Sequence, residues 1–208
     1  MSSSNIPSVA LTFDAEHPDR PLCPPDAPAR ILDTLAEAGV RATFFIQGRW
    51  ASAYPALARR IAVEGHRIGN HSHSHARMTM LSDAGLREDV REAQDRIRRT
   101  TETDPRPWFR CPFGEGHEDR RVIAALGELG YRDVHWDVMV EDWEEWQTAE
   151  GIRERVLQGV DQSGPVVLLH TWPGPTADAL PRILTELRER DARFLTLDEL
   201  EATSGMKT

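Results

Sequence analysis

The chain has 208 residues, a length that suits one domain built around one hydrophobic core. Hydrophobic residues make up 39% of it, which is ordinary for a soluble protein. The formal net charge of -9 at pH 7 argues against non-specific nucleic-acid binding and against binding to anionic membrane surfaces.

The N-terminal residues have neither a basic start nor the apolar stretch of a signal peptide. No apolar run approaches the roughly 20 residues that span a bilayer. We therefore expect a cytoplasmic protein without membrane insertion, unless an export signal has been removed. Cys23 and Cys111 lack zinc-site spacing and are expected to be free thiols. The oligomeric state is left open.

Strand-like apolar runs alternate with helical patterns along the whole chain. In chain order the predicted elements are strand 8–13, helix 29–38, strand 42–46, helix 55–64, strand 67–70, a helix after Ser82, strand 108–111, helix 121–129, strand 131–137, helix 152–160, strand 165–169, helix 180–187, strand 193–197 and a short C-terminal helix. The helix after Ser82 illustrates the pattern, because Ser82 is a typical N-cap and Leu86, Val90, Ala93 and Ile97 form one stripe.

Repeated strand–helix units predict an α/β fold with a parallel sheet and helices outside it. Seven such units indicate a distorted or incomplete (β/α) barrel of about seven strands. No linker or internal repeat interrupts the chain, so we expect a single domain, 1–208. In such barrels the chemistry gathers at the C-terminal ends of the strands. A proline-rich loop, 18–28, is expected to form a rim of the pocket.

Two histidines four residues apart, His71 and His75, follow the strand 67–70. On a helix or on a strand this spacing puts both imidazoles on one side, close enough to share a metal ion. Asn70 and the serines beside the histidines could orient them. The alternative is a polar surface loop with coincidental histidines. His73 would join the pair on a strand but not on a helix, and it is left out of the ligand set.

Two acids, Asp14 and Glu16, end the first strand. Because they are two residues apart, an extended backbone points both the same way. One could ligate a metal while the other takes a proton. A solvated turn that caps the next segment is the alternative.

A single charged residue, Arg110, lies in the apolar strand 108–111 and needs a carboxylate partner. Pro112 has no N–H, so the next backbone donor belongs to Phe113, which could face a developing oxyanion. A structural salt bridge of Arg110 is the alternative.

The most apolar strand ends at His170, which is either a hydrogen-bonded core residue or a pocket residue. Asp142 could hold an imidazole or Arg110. Trp143 and Trp172 could bind substrate as the floor of a pocket, although tryptophans are more often core residues.

Taken in order, five motifs resemble those of the polysaccharide deacetylase family, the NodB-homology domain of carbohydrate esterase family 4. The family's Thr-Phe-Asp-Asp-Gly, His-Ser/Thr-x-x-His, Arg-x-Pro-Tyr/Phe, Asp-Trp and Leu-x-His motifs correspond to 12–16, 71–75, 110–113, 142–143 and 168–170. The resemblance covers nearly the whole chain and is specific, because all five motifs occur in order.

The resemblance implies a role for each matching position. Asp14 would be the general base and His170 the general acid. Arg110 would tether the base, Asp142 would tune His170, and the Phe113 backbone would donate to the oxyanion. The family implies a divalent metal, most often zinc with cobalt or nickel as alternatives, that polarises an N-acetyl group and activates water.

One position departs from the family: its second aspartate, the usual metal ligand, is Ala15 here. Glu16 is the nearest substitute on the same face of the strand, so the expected ligands are Glu16, His71 and His75. His17 and Asp14 are the alternatives for the third ligand.

The expected function is therefore a metal-dependent hydrolase that removes N-acetyl groups from an N-acetylated sugar, with a carbohydrate as its partner. Two rivals remain: a metal-independent cyclic-amide hydrolase of the allantoinase-like branch, and a non-catalytic carbohydrate-binding barrel. Metal content distinguishes the expected deacetylase from the first rival, and activity on an acetylated substrate distinguishes it from the second.

Overall fold

Strands and helices alternate through the described part of the chain, as the hydrophobic pattern predicts. The computed structural model describes residues 7–17, 25–160 and 164–204. The strands are β1 (Ser8–Ala15), β2 (Thr43–Ile46), β3 (Arg67–Asn70), β4 (Trp108–Phe109), β5 (Arg132–Asp133), β6 (Val138–Met139), β7 (Val166–His170) and β8 (Arg193–Phe194). The helices are α1 (Ala27–Ala38), α2 (Gly48–Ala53), α3 (Pro55–Val63), α4 (Asp83–Thr101), α5 (Arg120–Glu128), α6 (Ala149–Gly159), α7 (Gly174–Glu189) and α8 (Leu197–Ser204).

The contacts within the chain group it into two compact units. The first unit comprises Met1–Phe13, Leu22–Thr43 and Trp136–Thr208, and the second comprises Asp14–Pro21 and Phe44–His135, each within the described ranges.

In the first unit, β1 is hydrogen-bonded to β7 and β8, and β6 extends the order beyond β7. The β8 pairing is parallel, with Ser8 opposite Arg193, and so is that of β6 with β7, where Val138 lies opposite Val167. From Val9 onward β1 is entirely buried, as expected of a strand that is covered on both faces. Helix α7 packs against α1 and α6.

In the second unit, the strand order is β2, β3, β4, β5, and β4 pairs in parallel with both of its neighbours. Helix α4 packs against α2, α3 and α5. The predicted N-cap of α4 is confirmed, since the Ser82 hydroxyl accepts a hydrogen bond from the Gly85 N–H. The predicted stripe of Leu86, Val90, Ala93 and Ile97 is buried.

One predicted strand, 131–137, is wrong as a single element. It divides into β5, which pairs with β4, and β6, which pairs with β7. The two strands therefore belong to different units, and the described residues contain eight strands instead of seven. A run of apolar residues shows where a strand forms but not which neighbour it pairs with, because the pairing partner is distant in sequence.

Helix α7 begins at Gly174, six residues before the predicted start. Pro175 and Pro181 are of a residue type that interrupts a helix at most positions. Pro175 lies in the first turn, where its missing N–H costs no helical hydrogen bond. Pro181 lies inside the helix, which continues past it to Glu189. Helix α2 was not predicted at all, since six residues are too few for a clear helical period.

The expectations for Cys23 and for 18–24 of the proline-rich loop lie outside the described residues. The last two residues of that predicted loop, 27–28, belong to α1. Cys111 is a buried free thiol, as predicted. None of the helices in the described ranges combines the length and the apolar character of a transmembrane segment.

Candidate active site

Three side chains with metal-ligand chemistry meet in the second unit, where β1 and β3 end. Glu16 Oε2 lies 3.0 Å from His71 Nε2 and 2.5 Å from His75 Nε2. The ligand atoms of the three residues all lie within 4.8 Å of one another. Two imidazole nitrogens and one carboxylate oxygen form a donor set that holds zinc in hydrolases.

The loop from His71 to His75 brings the two imidazoles together by a route that the sequence did not predict. It is neither helix nor strand, because Ser72 (φ 63°) and His75 (φ 59°) both have left-handed backbones. The turn is closed by two hydrogen bonds of 2.9 Å, from the Ser72 N–H to Asn70 Oδ1 and from the His75 N–H to the Ser72 hydroxyl. The prediction that the two imidazoles lie close together is therefore correct. The helical or extended backbone from which that prediction was made does not occur here.

A carboxylate of α4 holds the middle of this loop. Asp89 accepts hydrogen bonds from the backbone N–H groups of His73 (2.7 Å) and Ser74 (3.1 Å), and from the Ser74 hydroxyl (2.5 Å). His73 points toward α4, where its Nε2 lies 3.4 Å from Glu92. It therefore lies apart from the three-residue cluster, which agrees with its exclusion from the predicted ligands.

The hydrogen bond of His71 Nδ1 determines which nitrogen faces the cluster. Nδ1 lies 2.9 Å from the Arg110 carbonyl oxygen, which can only accept, so Nδ1 carries a proton and Nε2 faces Glu16. Burial is the largest effect on the pKa of His71 and lowers it. The Asp14 and Glu16 carboxylates together outweigh burial, so that the pKa is raised overall. For His75 burial prevails, and its pKa is lowered.

The predicted carboxylate partner of Arg110 is Asp14. Arg110 Nη1 donates to Asp14 Oδ1 over 2.8 Å, and both side chains are buried. The guanidinium also lies 4.1 Å from the centroid of the Phe45 ring and donates to the Val134 carbonyl. The other carboxylate oxygen of Asp14 lies 3.6 Å from His71 Nε2. Asp14 and Glu16 thus meet at the same imidazole, as the two-residue period of the strand predicts.

The buried charges of this group fit a divalent cation. The Asp14 carboxylate is paired with the Arg110 guanidinium, whereas the buried Glu16 carboxylate contacts the imidazoles of His17, His71 and His75. Ligands at about 2.0–2.1 Å from a tetrahedral zinc ion lie roughly 3.3 Å from one another, so the distance of 3.0 Å between Glu16 and His71 fits the ion, whereas that of 2.5 Å between Glu16 and His75 would have to lengthen to admit it. The donor atoms and their charge therefore suit a divalent ion held by Glu16, His71 and His75.

Position 15 offers no ligand, because Ala15 is completely buried and has no donor atom. His17, one alternative third ligand, approaches the other oxygen of Glu16, with Nε2 3.0 Å from Oε1. Its ring also lies against that of His75, with 4.5 Å between the centroids. Asp14, the other alternative, is engaged by Arg110. The geometry therefore favours Glu16 as the third ligand.

Phe113 lies beside the cluster with a left-handed backbone (φ 60°). Its ring is half exposed and packs edge-on against His75, with 4.6 Å between the centroids. The N–H groups of Gly114 and Glu115 are used in the turn, donating to Cys111 and Pro112. Among the described residues the Phe113 N–H donates to no protein group, so it is available to a substrate.

A second group of candidate residues lies in the first unit, around His170 at the end of β7. Asp142 Oδ1 accepts from His170 Nδ1 over 2.7 Å, and Oδ2 accepts from the His170 backbone N–H (2.8 Å) and from the Thr176 hydroxyl (2.7 Å). Asp142 holds the imidazole and not Arg110, which decides between the two predicted partners. Because Nδ1 donates to Asp142, Nε2 is the ring nitrogen that faces away from that carboxylate.

Both predicted substrate-binding tryptophans contact His170. Trp143 meets the imidazole edge-on with 5.3 Å between the ring centroids, and its indole N–H donates to Glu144. Trp172 lies 5.8 Å away by the same measure and is only 9% exposed. Of the two, Trp143 offers more surface to a ligand.

Two polar residues of these groups were not predicted from the sequence. Thr176 is hidden between prolines in the first turn of α7, and Asp89 reads as an ordinary polar position on α4. Neither position has a motif around it, because each acts on a loop that is distant in sequence.

The family model described as polysaccharide deacetylase matches residues 2–134. The chain belongs to the polysaccharide deacetylase family. This confirms the predicted family, and with it the predicted class of enzyme, a hydrolase that deacetylates N-acetylated carbohydrates.

Curated members of the family are similar over almost all of the chain. A peptidoglycan-N-acetylglucosamine deacetylase of Bacillus cereus is 35% identical over 204 residues, which cover 96% of this chain and 70% of that protein. A chitooligosaccharide deacetylase of a Bradyrhizobium species is 32% identical, with 95% of this chain and 84% of that protein covered.

Solved structures of the family have the same fold. The crystal structure of BA3943 from Bacillus anthracis, described as a CE4 family pseudoenzyme, matches with a TM-score of 0.83 and 26% identity over 94% of this chain and 66% of that one. The likeness confirms the predicted NodB-like α/β fold of this polysaccharide deacetylase family member.

Proposed function

We propose that this protein is a metal-dependent deacetylase of N-acetylated sugars, and that the whole chain, 1–208, forms one NodB-homology domain. The observation that carries the proposal is the convergence of Glu16, His71 and His75 on one point beside an aspartate, Asp14, that Arg110 holds in place. The relatives named as deacetylases cover nearly the whole chain, which supports a single domain.

Glu16, His71 and His75 would hold the metal, for which we propose zinc, with cobalt or nickel as alternatives. When bound, a divalent ion polarises the acetyl carbonyl and lowers the pKa of a bound water. The remaining steps belong to side chains of this chain.

Asp14 is proposed as the general base. Its Oδ1 is fixed by Arg110, and its Oδ2 lies on the side of the metal cluster, within 3.6 Å of His71 Nε2. A carboxylate held in this way takes a proton from the attacking water without having to reorient. The Phe113 N–H is proposed to stabilise the negative charge that develops on the acetyl oxygen.

His170 is proposed as the general acid that protonates the departing amine. Asp142 accepts from Nδ1 and stabilises the imidazolium form, so that Nε2 carries the proton to be transferred. Thr176 and the His170 backbone fix the other oxygen of Asp142 and keep the pair in one orientation.

The proposal is tested by metal content and turnover measured on the same preparations. Wild-type protein loaded with zinc should hold about one ion per chain and release acetate from an N-acetylglucosamine oligomer. His71→Ala and His75→Ala should lose both properties. His73→Ala is the matched control, because it removes an imidazole of the same loop that faces Glu92 and not the cluster.

The rivals give different results. Turnover of a cyclic amide by metal-free protein would support the allantoinase-like rival. Oligosaccharide binding without acetate release from the metal-loaded protein would support a non-catalytic barrel. A structural relative, BA3943, is described as a CE4 family pseudoenzyme.

A further inference from the structure

One peptide group of the second unit joins a proposed metal ligand to a buried carboxylate. It is the group between Arg110 and Cys111, just beyond the end of β4. Its carbonyl oxygen accepts from His71 Nδ1 over 2.9 Å, and its N–H donates to Asp133 Oδ1 over 2.8 Å. Because a trans peptide points its carbonyl and its N–H in opposite directions, the two hydrogen bonds lie on opposite sides of one planar group.

The order of the strands explains this arrangement. β3, which leads into His71, and β5, which carries Asp133, pair in parallel with β4 from either side. The carbonyl of Phe109, the last residue of β4, accepts from the Val134 N–H on the β5 side. The next N–H on that side belongs to Cys111 and donates to the Asp133 carboxylate. A charged side chain, which is a stronger acceptor than a backbone carbonyl, thus continues the hydrogen bonds beyond the strand.

The charge of Asp133 lies in a place that water screens poorly. Only 5% of the Asp133 side chain is exposed, and both Cys111 and His71 are buried. The second oxygen of the carboxylate accepts from His117 Nδ1 over 2.9 Å, which fixes the plane of the carboxylate. Hydrogen bonds in such a low-dielectric place are electrostatically stronger than in water.

Hydrogen bonds that follow one another in a chain polarise each other. A carboxylate that accepts from the N–H of a peptide shifts electron density toward the carbonyl oxygen of that peptide. The Arg110 carbonyl therefore becomes a stronger acceptor and attracts the Nδ1 proton of His71 more strongly. The lone pair on Nε2, the nitrogen that faces Glu16, is then more basic, as it is when a carboxylate bonds directly to a metal-bound histidine.

We propose that Asp133 is a positioning residue that acts on His71 through the peptide between Arg110 and Cys111, and that it strengthens zinc binding at His71 Nε2. None of the five family motifs contains Asp133. The relay of hydrogen bonds from Asp133 to His71 belongs to the metal-free protein, whereas its effect on zinc rests on the proposed function.

Zinc affinity, measured by competition with a chelator, tests the charge of Asp133. Asp133→Asn keeps an oxygen for the Cys111 N–H and should bind zinc about tenfold more weakly, at the lower end of the loss expected for groups that support metal ligands. Asp119→Asn is the matched control and should bind zinc as the wild type does. It removes the same charge from the N-cap of α5, where asparagine caps equally well. Wild-type affinity in Asp133→Asn would overturn the proposal, and so would equal losses in the two variants.

A second pair of variants tests the route through the peptide. Cys111→Pro removes the N–H, and the φ of -67° at Cys111 fits proline. Cys111→Ala keeps the N–H and removes only the thiol, which is neutral because burial raises its pKa. Zinc affinity should fall about tenfold in Cys111→Pro and stay as in the wild type in Cys111→Ala. Equal affinities of these two variants would overturn the proposal, and this comparison decides it even if Asp133→Asn does not fold.

The double variant shows whether Asp133 acts by this route alone. Combined with Cys111→Pro, Asp133→Asn should weaken zinc binding no further, because the link between the carboxylate and the peptide is already broken. A second, full tenfold loss in the double variant would show that Asp133 acts on the metal by another route, and the proposal would be wrong.

Proton resonances of the metal-free protein separate this proposal from the proposed function. The resonance of the His71 Nδ1–H should move upfield in Asp133→Asn, because its hydrogen bond to Arg110 weakens, and it should stay in place in Asp119→Asn. A lower Tm of Asp133→Asn without this shift would show that Asp133 only anchors the loop, and the relay would be refuted even in an active enzyme. If the resonance moves but the protein binds no zinc and releases no acetate, the deacetylase proposal fails and the relay stands.

Discussion

At the scale of single residues, the buried pair of Asp14 and Arg110 is the most demanding feature of the site. Only 1% of the Arg110 side chain and 5% of the Asp14 side chain are exposed. Removing one partner of such a pair typically costs about 3–5 kcal/mol, because the other charge stays buried and unpaired. A substitution that tests the role of Asp14 must therefore keep a hydrogen-bond acceptor for Arg110.

Asp14→Asn meets that requirement, since its amide oxygen can still accept from Arg110. We expect the variant to keep its fold and most of its metal affinity while turnover falls roughly 10²–10⁴-fold, the usual contribution of a general base. Acetate release and metal titration on the same preparation measure the two effects. Near-normal turnover would remove Asp14 from the mechanism.

The departure from the family at position 15 gives a second prediction at this scale. Glu16→Gln keeps the size of the side chain but removes the negative charge that faces His71 and His75. We expect it to weaken zinc binding by a large factor, because the only anionic ligand of the proposed three is lost. Metal affinity is measured by competition with a chelator of known affinity.

Ala15→Ser is the matched control, since it changes the neighbouring residue that has no donor atom, and it should change zinc affinity far less. If Glu16→Gln binds zinc as the wild type does while Asp14→Asn loses it, Asp14 is the ligand and another residue must be the base.

At the scale of elements, the loop between β3 and α4 stores backbone strain where the proposed ligands lie. Ser72 and His75 are both in the left-handed region, which costs about 1–3 kcal/mol for each such residue. The cost is offset by hydrogen bonds that fix the loop. They come from the side chains of Asn70 at the end of β3, Ser72 in the loop itself and Asp89 in α4. The position of the two imidazoles therefore depends on a helix that supplies no ligand.

Asp89→Ala tests this dependence. The substitution leaves the N–H groups of His73 and Ser74 without their acceptor, so the loop should become mobile and zinc affinity should fall roughly 10–100-fold. Glu88→Ala, which removes a carboxylate from the adjacent exposed position of the same helix, should leave the affinity as in the wild type. Equal effects of the two substitutions would indicate that net charge, and not the loop, sets the affinity.

At the scale of the whole molecule, protons and the proposed metal would compete for the same site. The pKa of His71 is raised because Asp14 and Glu16 together outweigh the effect of burial, whereas burial lowers the pKa of His75. In metal-free protein, the raised pKa of His71 contributes stability below about pH 6.5, the ordinary histidine value, and that contribution is lost as the pH rises through the folded-state pKa. Metal binding requires the neutral imidazole, so the affinity for the metal increases as the pH rises.

Thermal unfolding with zinc and with a chelator should show this competition. The stabilisation by zinc should grow between about pH 6 and pH 8, and it should reach about 4 kcal/mol when free zinc is 1,000 times its Kd. Calorimetric titrations in buffers of different ionisation enthalpy should detect a proton released on binding below the raised pKa of His71. A zinc-induced shift in Tm that is the same at both pH values would contradict the assignment of His71 as a ligand.

The sequence by itself determined the alternation of strands and helices, the family and the identity of the residues at the strand ends. These features depend on the local period of apolar residues and on short motifs, both of which are visible within a few positions of the chain. The two-residue period also predicted that Asp14 and Glu16 point the same way, because that prediction needs only an extended backbone.

Only the tertiary structure decided which distant groups complete the site. It gave Arg110 its partner across 96 residues, selected His170 as the imidazole held by Asp142, and placed Asp89, Asp133 and Thr176 as supports that no motif marks. It also divided the predicted strand 131–137 between two neighbours. The physical reason is the same in each case: a buried polar group takes whichever partner the folded chain brings within hydrogen-bond distance, and local sequence does not determine that partner.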